Sequence, residues 1–74
     1  LAKDLQLVLY DPVTDTKVTW DLEGEERFGI MLKTAIGEIV NAIARKTRQN
    51  PIKVMTEQMR MVVIRIEPKT KGQT

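Results

Sequence analysis

The chain has 74 residues, 12 Lys and Arg against 10 Asp and Glu, 42% hydrophobic residues, and no Cys, His or Ser. Those counts exclude disulfides, Cys/His metal sites and nucleophilic pairs of the Ser-His or Cys-His kind. They fit one small folded domain, because the apolar fraction is too high and the charge too balanced for a disordered chain.

A domain this short buries only about 60% of the surface its unfolded chain exposes. Small domains offset that with disulfides, metals or oligomerisation, and here self-association is the expected route. The longest apolar run is Met61-Val62-Val63-Ile64, far below the roughly 20 residues of a membrane span. The opening Leu1-Ala2-Lys3-Asp4 has no signal-peptide pattern. A cytoplasmic protein with no membrane partner is expected.

Residues 4–22 read as a β-hairpin. Leu5, Leu7 and Leu9 alternate with Gln6, Val8 and Tyr10, and Val18, Trp20 and Leu22 alternate with Lys17, Thr19 and Asp21. Between them Asp11-Pro12-Val13-Thr14-Asp15-Thr16 is rich in turn formers. Setting Tyr10 against Lys17 places Leu9 opposite Val18, Leu7 opposite Trp20 and Leu5 opposite Leu22, with every large apolar pair on one face.

Residues 24–48 read as one helix. Phe28, Met31, Leu32, Ala35, Ile36, Ile39, Val40, Ala42 and Ile43 fall on one half of its wheel. Asp21, Glu23, Glu25 and Glu26 gather near its start and Arg45, Lys46 and Arg48 near its end, both complementing the helix dipole. Asn50-Pro51 is read as its stop. Gly29 and Gly37 each cost about 1 kcal/mol inside a helix, which points to close packing against them.

Residues 59–67 read as a strand with Val62, Ile64 and Ile66 on one face and Met59, Met61 and Val63 on the other. Residues 51–58 fit two patterns, a short strand at 52–56 or a helical turn. Pro68 and the polar run to Thr74 form a C-terminal tail, leaving residues 1–67 as the domain. The expected fold is α+β: an antiparallel sheet in β-β-α-β order, with or without an extra short strand at 52–56, and with one long helix across one face. One helix covers one face only, so the second apolar face of 59–67, with Val8 and Tyr10, is expected to meet a second copy of the chain.

Charge is segregated. Residues 1–26 carry a net −5 and residues 27–74 a net +7. Clustered cations are what phosphate binding requires, and a 25-residue helix of about 37 Å outruns a six-residue strand of about 20 Å. The basic last turn is thus expected to overhang the sheet. The candidate nucleic-acid contacts are Arg45, Lys46, Arg48, Lys53, Lys69 and Lys71. With Tyr10, Trp20 and Phe28 the only aromatics, backbone contacts are expected rather than stacked bases.

A second candidate surface combines the small-residue helix face, Thr34, Gly37, Asn41 and Ala44, with Met59, Met61 and Val63. Met31, Met55, Met59 and Met61 suit either core filling or an adaptable binding surface. The acids near the helix start lack the spacing of a Ca²⁺ loop, and the scattered glycines form no phosphate loop. The expectation is a non-enzymatic homo-oligomer without cofactor or metal. Nucleic acid is narrowly preferred as the partner, and a protein-interaction role as inhibitor or small assembly subunit is the alternative.

Overall fold

The computed structural model describes residues 4–22 and 27–69. The alternating leucines form β1 (Leu5–Asp11) and the Val-Thr-Trp run forms β2 (Thr16–Asp21). Their register pairs Leu7 with Trp20, Leu9 with Val18 and Tyr10 with Lys17, as the apolar pattern requires. Leu22 N–H donates to the Leu5 carbonyl at 3.1 Å, closing the open end.

The turn between them is organised by a buried carboxylate. Asp11 accepts the backbone N–H groups of Val13 and Thr14, both at 3.3 Å, and the Thr14 hydroxyl at 2.6 Å. These bonds compensate the desolvation of a side chain with no exposed surface. Asp15 takes the left-handed conformation (φ 54°), which Asp tolerates better than most residues.

The helix α1 runs over Phe28–Thr47. It takes up the expected span from Phe28 to Thr47, while residues 23–26, with Glu23, Glu25 and Glu26 of the acidic group, lie outside the described residues. Arg48, not the Asn50-Pro51 pair, ends the helix: it adopts φ 57° while its N–H and that of Gln49 reach the Ala44 carbonyl. Asn50 is extended, as a residue before proline must be. Its side chain accepts from Ile52 N–H at 2.7 Å, so Asn50-Pro51 starts a new helical segment.

That segment comprises α2 (Pro51–Lys53), a π-helical turn (Val54–Gln58) and a 3₁₀ turn (Met59–Met61). Residues 52–56 are therefore helical, which decides between the two patterns in favour of the helical turn and against the extra strand. Val54 is fully buried in the core and Met59 and Val62 pack against it, which anchors the segment. The last strand, β3 (Val63–Pro68), starts later than the expected residue 59 for the same reason. Its ladder along β1 pairs Leu7 with Ile66 and Leu9 with Ile64.

The described residues thus form an α+β fold: an antiparallel three-stranded sheet in the order β2-β1-β3, one long helix, and a short helical segment before β3. The core comprises Leu7, Leu9, Leu22, Met31, Ala35, Ile39, Val40, Ile43, Ala44 and Val54. The helix α1 packs on β2 and β1 and scarcely touches β3. A helix about 10 Å across spans about two strands set 4.8 Å apart, so the third is left to one side. Trp20 Nε1–H donates to Glu38 at 3.0 Å and ties α1 towards β2. No helix among the described residues is long and apolar enough to cross a membrane.

Candidate protein-binding surface

Burial changes abruptly across the sheet. Leu7 and Leu9 are 0% exposed, whereas their β3 neighbours on the same face, Ile66 and Ile64, are 51% and 46% exposed. Exposed apolar surface, found also at Val13, Ile30, Ile52, Met55 and Met61, thus includes a pair on the helix side of β3, which α1 scarcely touches. The opposite face of the sheet presents Gln6, Tyr10, Lys17, Thr19, Asp21, Arg65 and Glu67 around a buried Val8. It is a polar face with Val63 at one corner, not the second apolar face expected. Met59 and Met61 do not belong to it, because both sit in the 3₁₀ turn.

The same strand has its backbone open to pairing. Leu22 N–H bonds to Leu5, and Lys69 N–H donates to the Asp4 carbonyl at 2.9 Å. Antiparallel ladders alternate, so odd residues of β1 face β2 and even residues face β3. It follows that Val63, Arg65 and Glu67 turn their polar backbone groups towards β1. Ile64 and Ile66 turn theirs to the outer edge, which pairs with no strand among the described residues. Pro68, at another outward position, has no N–H to offer, in keeping with proline's confinement to edges. On the polar face Arg65 Nε lies 2.9 Å from Glu67 Oε2.

The six basic candidates are dispersed in role. Lys46 is engaged: its ammonium donates to the Thr14 and Asp15 carbonyls at 2.8 and 3.1 Å, so the last turn of α1 docks on the hairpin turn. Lys69 pairs with Asp21 at 3.3 Å. Arg45 lies on the β2 side of α1, where it lines a shallow depression with Val18, Glu38, Asn41 and Ala42. Arg48 is the left-handed cap, and Lys53 is exposed on α2. Lys71 lies outside the described residues.

The small-residue helix face is also divided. Thr34 is exposed and its hydroxyl donates to the Ile30 carbonyl at 2.9 Å, Asn41 is exposed, and Gly37 is half-buried. Among the described residues a Cβ added at Gly29 or Gly37 meets nothing within 4 Å, so neither glycine answers to close packing against them. Ala44 departs from the expectation: it is buried in the core, because α2 and the π turn fold back against that end of α1.

Fold and surface together define a small α+β domain with one apolar edge strand. Comparison with protein-family models, curated proteins and solved structures finds no match for the chain.

Proposed function

We propose that this protein is a non-enzymatic protein-binding module whose β3 edge receives an extended segment of another polypeptide as an added strand. The observation that carries the reading is the coincidence, at Ile64 and Ile66, of outward backbone groups and exposed apolar side chains. Strand addition uses those two features together: the backbone gives affinity and alternate side-chain contacts give specificity. An exposed apolar edge is a liability in a protein that leaves it bare.

Selection from a displayed random peptide library tests the reading. Enriched peptides should carry apolar residues at alternate positions and lose binding to Ile66→Pro. That substitution removes an N–H turned away from β1, so the internal ladder survives. No enrichment on a monomeric chain, or equal binding to Ile66→Pro, contradicts the reading.

A second reading is nucleic-acid binding at the end of α1. It is favoured by Arg45, Arg48 and Lys53, three exposed cations with no ion pair to another described residue, in a stretch free of acids from Ile39 to Thr56. The engagement of Lys46 and Lys69 elsewhere reduces the cluster, which places this reading second. Fluorescence anisotropy with generic duplex DNA and RNA across a salt series tests it. Binding that weakens steeply with salt supports it, and absent binding at low salt removes it.

A further inference from the structure

We infer that the occupant of the β3 edge is β3 of a second copy of this chain, paired antiparallel about a two-fold axis at Ile66. The inference rests on the strand-addition reading and deepens it by naming the partner and the register.

A two-fold axis perpendicular to the sheet joins two β3 strands into one continuous sheet and keeps both helices on the same side. Residues directly opposite then share a face, so the isoleucines must meet even-numbered residues of the partner. Centring the pair on Arg65 sets Arg65 against the partner's Arg65, which like-charge repulsion disfavours. Centring it on Ile64 sets Val63 against the partner's Arg65. Centring it on Ile66 sets Arg65 against the partner's Glu67 on the polar face, twice by symmetry. Of these registers, the last alone matches opposite charges.

The backbone agrees with that register. Ile66 N–H and C=O exchange bonds with the partner's Ile66, and Ile64 N–H reaches the carbonyl of the partner's Pro68. The ladder ends there, since proline offers no donor. On the helix side the two Ile66 side chains come together, with Ile64 diagonal to them, in the strip that α1 leaves open. On the polar face the Arg65–Glu67 pair already formed within each chain becomes half of an alternating cluster of charges. Closed two-fold symmetry also uses up this edge, where an open contact would propagate.

Sedimentation equilibrium of wild type, Arg65→Glu, Glu67→Arg and an equimolar mixture of the two variants tests this register. The wild-type chain should sediment at twice its 8.5 kDa. Either variant alone opposes like charges at both positions, and its self-association should weaken by about tenfold or more. The mixture should recover the dimer, because in the mixed pair every Glu again faces an Arg. An intrachain role for the Arg65–Glu67 pair cannot produce that recovery, since mixing leaves positions 65 and 67 of each chain like-charged. A wild-type monomer across the micromolar range overturns the inference, as does a mixture no tighter than its components. If the protein is monomeric while library peptides still bind through Ile66, the second-copy inference falls and the strand-addition reading stands. If peptides also ignore Ile66→Pro, both fall.

Discussion

The ammonium of Lys46 donates to the carbonyl of Thr14 at 2.8 Å, 32 residues away in the chain. This contact and its companion at Asp15 join the end of α1 to the tip of the hairpin, so the helix terminus is a clamp on the sheet. Replacing Lys46 by Met keeps most of the aliphatic stem and removes the donor. Loss of about 1 kcal/mol in urea unfolding, followed by Trp20 fluorescence, is expected. Unchanged stability would return Lys46 to the solvent-facing cations.

Arg48 bears a conformational cost that glycine does not. A side chain at φ 57° crowds its own carbonyl by about 1 kcal/mol, and the helix-ending motif favours Gly at this position. Arg48→Gly should therefore stabilise the protein by about that amount in denaturant unfolding. A loss of stability would mean that the guanidinium makes a contact worth more than the strain.

Tyr10, the sole tyrosine, donates its phenolic hydrogen to Asp15 at 2.9 Å. That bond raises its pKa, with burial and the charges of Asp15 and Asp11 adding to the effect. A raised pKa means that the folded state favours the protonated phenol. Its contribution to stability is thus fully present below the ordinary value of about 10 and lost as pH rises through the folded value. Absorbance titration should place Tyr10 above a model tyrosine and bring it back towards that value in Asp15→Gly, a variant suited to the positive φ. Coincident titrations in the two proteins would rule out the contact in solution.

Gly37 lies within α1, yet a methyl group there meets nothing among the described residues within 4 Å. Gly37→Ala should raise stability by about 0.5–1 kcal/mol through helix propensity alone. It should leave self-association unchanged, because the helix face is not the proposed contact. A weakened oligomer in this variant would move the interface to α1.

The hairpin and its register were legible because alternation has a period of two and a single slip exposes every leucine. The core stripe from Met31 to Ile43 was legible for the equivalent helical reason. The segment 51–61 was not: Ile52, Val54 and Thr56 alternate as a strand does while Ile52, Met55 and Met59 fit a helical turn, and the Asn50 cap with Pro51 at the first helical position decides for the helix. The misplacement of Ala44 followed from that, since the returning segment is what buries it. The apolar edge was missed for a geometric reason. Ile64 and Ile66 share a face with Leu7 and Leu9, and periodicity carries no information on which strands a helix reaches. Sideways placement of α1 over β2, held by Trp20 and Glu38, is a tertiary outcome. Lys46 read as a free cation because its acceptors are backbone carbonyls, which leave no mark in a sequence.

Amide hydrogen exchange along β3, resolved residue by residue and repeated over a range of protein concentrations, tests the edge most directly. Arg65 and Glu67, bonded inward to β1, should be protected at every concentration. Ile64 and Ile66 should exchange rapidly in dilute protein and gain protection together as concentration rises, because their N–H groups find acceptors only on a second strand. Rapid exchange of Ile64 and Ile66 at all concentrations, beside a protected Arg65 and Glu67, would show an edge that stays bare and would contradict the account.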